Sequence, residues 1–155
     1  YGDFVKLVAA GTLEKAAVTT SVVAGTVGIF VGCSYTDPST NQMTFNQQFP
    51  ASTAASDIMA YVVDDPKLVF KMQADEAIAQ TGLGNNISAV NTAGSTSIGR
   101  SKNALDGGSV ATTNTLPLRV LEFVEGPTST VGDAFTDCLV TYLPLSHAYE
   151  TKLGV

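Results

Sequence analysis

Lys67-Leu68-Val69-Phe70-Lys71-Met72-Gln73 alternates without a break: Leu68, Phe70 and Met72 fall on one side of an extended chain, and Lys67, Val69, Lys71 and Gln73 on the other. A period of two marks a half-buried strand, because successive side chains of a pleated chain point to opposite faces. Leu116–Val124 repeats the signal, with Leu118 and Val120 flanking Arg119. Phe70 and Leu118 are therefore expected in the core. Working outward, the same reading gives strands at Phe4–Ala10, Ala17–Val23, Thr26–Ser34, Met43–Phe49, Asp57–Val63 and Phe135–Leu143. Val, Thr, Tyr and Phe dominate these runs, and such side chains suit a pleated surface better than a helix.

Turn chemistry separates the runs. Ala24-Gly25-Thr26 is one break, and Thr36–Asn41 is a polar loop around Pro38. Asp64-Asp65-Pro66 has the length of a tight hairpin connection, with the residue before Pro held extended. Ala74–Gln80 is the sole helical candidate, one or two turns that stop before Gly82. Leu83–Ser109 is rich in Gly, Ser, Asn and Thr. A structureless loop that long is unusual in a compact domain, so short strands are expected near Ile87–Val90 and Ser97–Ser101 as a surface flap. The chain reads as all-β: one domain over residues 1–155, a small β-barrel or β-sandwich of short antiparallel strands. It has at most one short helix and extended loops and termini. Residues 1–16 are an expected N-terminal arm, and residues 144–155 an expected C-terminal contact segment.

Composition narrows the function. The 155 residues include 8 Lys+Arg, 14 Asp+Glu and 1 His, for a formal net charge of -6. Disorder is excluded, because a chain that is 45% hydrophobic and 14% charged has the opposite composition from a disordered one. Scattered basic residues on an acidic chain offer no phosphate-neutralising patch, so no nucleic-acid partner is expected. A single His cannot build a multi-imidazole metal site. No run of roughly 18 apolar residues marks a membrane helix, and no basic-then-apolar leader marks a secretory signal. The chain opens at Tyr1 rather than Met, which points to processing or to an upstream segment. Cys33 and Cys138 each sit in an apolar alternating run and read first as small buried hydrophobes, second as a disulfide pair.

The catalytic census is thin. Gly94-Ser95-Thr96-Ser97-Ile98-Gly99 misses the spacing of a nucleophile elbow. Gly82-Leu83-Gly84-Asn85-Asn86-Ile87 starts like a dinucleotide fingerprint but places Ile87 where the third Gly belongs. Asp64-Asp65 lacks the alternating ligands of a Ca²⁺ loop and reads as a solvated turn. Asn86-Ile87-Ser88 matches a glycosylation sequon, read here as a chance match. His147, close to the C-terminal end, is expected on a surface or interface, with no partner motif for a nucleophile. No cofactor and no catalytic or metal residue is assigned.

Several strings carry a resemblance. They are Gly32-Cys33-Ser34-Tyr35-Thr36-Asp37, Phe45-Asn46-Gln47-Gln48-Phe49-Pro50, the run Ala55–Pro66, Val69–Asp75, Ala111–Val120, Gly132-Asp133 and Gly154-Val155. In this order the chain, from about Val27 onward, resembles small structural proteins of tailed bacteriophages of the capsid decoration (cement) kind. The string Tyr61–Asp75 is the most specific part. The resemblance implies a virion protein on the outer capsid surface that binds the lattice of the major capsid protein and stabilises it without an enzymatic step. Such proteins often form homotrimers and clasp neighbours with terminal arms. Tyr1, Phe4, Leu153 and Val155 are accordingly the expected partner-contact residues, since both ends keep apolar residues where a terminus would otherwise fray.

Three alternatives stand beside this reading. One is a carbohydrate-binding or adhesion module stacking sugars on Tyr35, Tyr61, Tyr142 or Tyr149. Another is a small hydrolase using Asp64 or Asp133 with Asp137. The last is a head-completion or tail component of the virion.

Overall fold

A computed structural model describes residues 1–19 and 26–150. Among these residues, ten strands form two antiparallel five-stranded sheets that face each other in a sandwich-like arrangement without closing into a barrel. The first sheet holds β1 (Phe4–Leu7), β2 (Leu13–Lys15), β3 (Thr26–Thr36), β4 (Met43–Asn46) and β5 (Met59–Val63). The second holds β6 (Val69–Gln73), β7 (Asn86–Val90), β8 (Ala104–Ala111), β9 (Leu118–Phe123) and β10 (Asp137–Tyr142) in the order β6-β10-β9-β7-β8. The chain thus completes one sheet before it begins the other.

β3 organises the first sheet. Ile29 pairs with both Phe4 and Val63, and Cys33 and Ser34 pair with both β4 and β5. A strand has two edges, so β1 and β4 share one edge of β3 end to end while β5 takes the other. Gly28 makes the β5 pairing possible: a Cβ there would fall 2.0 Å from the Val63 carbonyl oxygen, and its φ is +154°.

The core lies between the sheets. Ile87, Leu105, Leu118, Val120, Cys138 and Val140 point inward from the second sheet, and Phe4, Ala16 and Val18 close it from the other side. Phe4, Phe70 and Tyr142 meet edge-on or tilted, with centroids 5.5–6.2 Å apart. Burying each large apolar side chain stabilises the fold by roughly 1.5–3 kcal/mol. The expected faces hold: Leu118 and Val120 are buried while Arg119 is exposed, and Phe70 and Met72 pack against the core.

Several expectations are corrected. Asp64-Asp65-Pro66 is not a hairpin turn but the crossing between sheets, because Val63 pairs with Ile29 whereas Val69 pairs with Thr141. Both connections need the same tight turn, here Leu68 N–H donating to the Asp65 carbonyl at 3.0 Å. Ala74–Gln80 is not helical; only Gln80–Gly82 forms a 3-10 turn. Ala74 instead bridges to Leu105, and Asp75 and Glu76 accept N–H bonds from Gly107 and Gly108. These bonds between sequence-distant segments override helix propensity, which is a weak prior. Gly107 leaves room for the approach, since a Cβ there would sit 2.7 Å from Glu76 Cγ.

Ser97–Ser101 is a turn closed by the Ser95–Arg100 bridge rather than a strand. Ile87–Val90 lies in β7, a central strand and not a flap. The expected arm over residues 1–16 contributes β1 and β2 to the first sheet. Of the expected strand Ala17–Val23, residues 17–19 are not strand, although Val18 is buried, and 20–23 lie outside the described residues. Cys33 and Cys138 are both free and both buried.

Candidate docking face

The far half of β3, with β4 and β5 on its two edges, forms a three-stranded platform. Antiparallel partners directly opposite each other share a face. Register therefore puts Gly32, Ser34 and Thr36 of β3 on one face with Met43 and Phe45 of β4 and Met59 and Tyr61 of β5. The opposite face is packed. Cys33 and Tyr35 are buried there, Tyr35 meets Phe49 edge-on at 6.4 Å, and Asn46 Nδ2 donates to Tyr35 Oη at 2.9 Å.

The first face is open. Met43, Phe45, Met59 and Tyr61 are 66%, 67%, 64% and 46% exposed. At ~150–250 Å² per large side chain this is roughly 450 Å² of mainly apolar surface. That is the size of the largest patches on monomeric proteins, which are often functional. Small residues at 32 and 34 leave a trough along β3, and the rings of Phe45 and Tyr61 lean over it, 6.5 Å apart and within 19° of parallel. Tyr61 Oη and Ser34 Oγ, 3.0 Å apart, fix that ring. No residue of β3, β4 or β5 is charged. Moreover, among the described residues β4 and β5 each pair only with β3, so within these residues each presents an unpaired strand edge, the usual template for a further strand.

The residues expected at the contact fare differently. Tyr1 is half exposed, but Phe4 is 2% exposed and wedged between Phe70 and Tyr142. Phe4 belongs to the core, because alternation along β1 turns its ring inward, and it is not available to a partner. Leu153 and Val155 lie outside the described residues. The face residues Met43, Phe45 and Met59 had no distinguishing mark in the sequence. Met43 and Phe45 alternate with Thr44 and Asn46, a pattern that points to a buried apolar side, whereas Asp57–Val63 carries apolar residues on both sides; in neither run does periodicity report that the Met43, Phe45 and Met59 side is left uncovered.

His147 also departs from expectation. It is 0% exposed, held edge-on between Tyr142 and Tyr149 at 5.4 and 5.0 Å. A parallel bridge to Thr26 at the start of β3 draws it inward. Among the described residues, His147 Nε2, Tyr142 Oη and Ser146 Oγ have no hydrogen-bond partner. Burial raises the Tyr142 phenol above its ordinary range, and the bond from Tyr149 Oη to Asp64 raises the Tyr149 phenol.

The remaining polar groups are engaged singly. Asp64 accepts from Tyr149 Oη, Asp133 accepts the Thr130 N–H, and Asp137 pairs with Lys71 at 2.7 Å. The carboxylates of Asp75, Glu76 and Asp106 lie within 4.8 Å of one another; Asp75 and Glu76 clasp the glycines of β8, and Asp106 accepts from Ser88 Oγ. Asn86 is buried, with Nδ2 donating to the Thr113 carbonyl and Oδ1 accepting from Arg119, so the sequon is inaccessible. A cavity of about 750 Å³ opens between the inner side of the platform and the turn Gly94–Arg100. Its rim mixes Asp3 and Glu14 with Lys15 and Arg100, a balance that selects neither sign of ligand.

No family model, no curated protein and no solved structure matches the chain.

Proposed function

We propose that this chain is a structural protein of a tailed-phage virion, docking on the outer capsid lattice and stabilising it without catalysis. The observation that carries the reading is the open platform face: four large apolar side chains held on three strands that carry no charged residue, with the Asp57 carboxylate bonded at the Thr36 end. Aromatic residues and Met are enriched, and charges depleted, at the centres of protein interfaces. Specific contacts bury roughly 1,200 Å² or more in total, so the four residues form the centre of a larger footprint. A subunit that binds only the assembled lattice stabilises it by its binding free energy at every site. The partner is the major capsid protein, and the chain itself is proposed to act as a homotrimer.

Purified protein added to capsid shells that lack it provides the test. The wild type should coat the shells to a regular copy number and raise their heat resistance. Phe45→Glu and Met59→Glu, both at exposed sites, should fold normally and lose most of that occupancy. Shells left bare by the wild type would remove the proposal. A few copies per particle would instead indicate a head-completion or tail component.

The exposed pair Phe45 and Tyr61 favours a second reading as a carbohydrate-binding module, since sugars stack on aromatic faces. Tyr35 and Tyr142 are buried and cannot contribute. Binding on a glycan array that is lost in Tyr61→Ala would promote it, and silence across a broad array would retire it.

A further inference from the structure

The cavity of about 750 Å³ lies on the side of the first sheet away from the docking face. Cys33 pairs with Ala60 and Ser34 with Met59, so alternation turns Cys33 and Ala60 toward the cavity and Ser34 toward the platform. Of the four platform residues, Met59 alone also borders the cavity. Val5, Phe30 and Ile58 join Cys33 and Ala60 in a lining without a charged side chain. The Cys33 thiol is already engaged, donating to the Gln48 carbonyl at 3.5 Å.

The opposite wall is the turn Gly94–Arg100, and side-chain bonds fix it over the sheet. Gln47 Nε2 donates to the Ile98 carbonyl at 2.9 Å and Gln48 Nε2 to the Thr96 carbonyl at 3.4 Å. Within the turn, the Ser95 N–H donates to the Arg100 carbonyl at 3.0 Å and the Gly99 N–H to the Ser95 carbonyl at 2.8 Å. The space between turn and sheet is therefore preformed, and its volume falls within the roughly 300–1,000 Å³ of small-molecule sites. Covering its apolar lining is favourable, by roughly 25 cal/mol for each Å² removed from water.

Charge decides which ligand fits. At the rim Lys15 and Asp3 pair at 2.9 Å, and Lys15 also donates to the Thr92 carbonyl at 2.8 Å. Glu14 and Arg100 add one charge of each sign. An anion would meet two carboxylates on a chain of net charge -6, and a cation would meet an ammonium and a guanidinium. Either ion would also give up its hydration for an apolar lining that offers no partner. Phe30 and Phe49 add aromatic surface to the walls, which suits contact with a ring. We infer that the cavity is a binding site for an uncharged, mainly apolar, ring-bearing small molecule. Such a ligand binds behind the platform and leaves Phe45 and Tyr61 free to dock, so the site stands whether or not the platform meets a capsid.

The uncharged fluorescent probe N-phenylnaphthylamine, titrated into the isotope-labelled full chain, tests the site by NMR. Binding should saturate, and the amides of Cys33, Ala60 and Ser95 should shift while those of Met43 and Phe45 stay in place. Anilinonaphthalene sulfonate, the same framework with an anionic group, should bind at least roughly tenfold more weakly. Ala60→Phe puts a ring into the cavity and should weaken probe binding by roughly tenfold or more, whereas Phe45→Glu on the docking face should leave it unchanged. If Ala60→Phe does not fold, the wild-type shifts decide alone. Absence of saturable binding would overturn the inference, as would shifts centred on Phe45 and Tyr61 or probe binding that survives in folded Ala60→Phe. Equal affinity for the sulfonated probe would overturn the assignment of an uncharged ligand.

Discussion

The rings of Phe4 and Phe70 meet edge-on with centroids 5.8 Å apart, one from each sheet. Phe4 is 2% exposed, and Tyr142 closes the group at 6.2 Å from Phe4 and 5.5 Å from Phe70. The trio ties the first strand of one sheet to the first and last strands of the other. Phe4→Ala should therefore cost about 3–5 kcal/mol and Leu118→Ala about 2–5 kcal/mol. Phe70→Ala should cost less than Phe4→Ala, because its ring is only partly buried. Urea unfolding midpoints measure all three, and an unchanged midpoint in Phe4→Ala would show that the N-terminal strand is dispensable.

Tyr142 predicts an alkaline limit. Burial raises its phenol above the ordinary value of 10.0 and pushes the Cys138 thiol from 9.0 up to about 11. In both cases the folded state holds its proton more tightly than the unfolded chain. The stability contributed is complete below the unfolded values and is lost as pH rises through the folded ones. Stability should fall from about pH 9 upward, with Cys138 alone accounting for on the order of 2–3 kcal/mol by pH 11. Cys138→Ala should flatten that part of the profile. Tyr142→Phe should remove the later part and, by deleting an orphaned hydroxyl, gain about 1 kcal/mol at pH 7. Thermal scans across pH check both, and a flat wild-type profile between pH 9 and 11 would contradict the burial argument.

The two thiols should differ in reach. Both are buried and both have their thiolate disfavoured, so neither should react with a bulky disulfide reagent at pH 8 in the folded state. Cys33 lines the open cavity beneath the platform, whereas Cys138 sits in the closed core. A small methylthiolating reagent should therefore modify Cys33 first, by roughly tenfold or more in rate. Peptide mass mapping reads the order, and Cys138 labelling first would be the wrong outcome.

Gly28 is fixed by its neighbour's backbone. A Cβ would sit 2.0 Å from the Val63 carbonyl oxygen and 3.0 Å from the Asp64 Cα. Backbone cannot rotate aside as a side chain can, so Gly28→Ala should cost about 2–3 kcal/mol or separate β5 from β3. Equilibrium unfolding measures the cost, and exchange of the β5 amides detects the separation. Wild-type stability in Gly28→Ala would mean that the two strands pack less closely than described.

Alternation made most of the sandwich readable, because period two is imposed by covalent geometry. β6 and β9 showed their faces directly through Phe70 and Leu118. β8 did not, since Gly107 and Gly108 interrupt any apolar pattern, and the reason for those glycines, room for Glu76, lies in another part of the chain. β2 is three residues long and has no period to read. The residues 74–80 looked helical because local preference is all that a short window contains, while the bonds that decide their shape come from β8. The platform was legible as strands but not as a face. Exposure depends on whether something covers it, and nothing within Met43–Phe49 or Asp57–Val63 reports that. His147 was misread for the converse reason: proximity to a chain end suggests solvent, whereas the bridge to Thr26 draws it inward.

Because the chain fills one sheet before starting the other, order of synthesis matters. A ribosome delivers β1 to β5 with their greasy undersides bare, and the lid arrives only when the last strand, β10, has emerged. Until then the nascent half is a sticky fragment whose safety rests on speed or on a helper. Cutting the backbone at the single crossover near Asp65 should yield two pieces that each clump alone yet recombine when mixed.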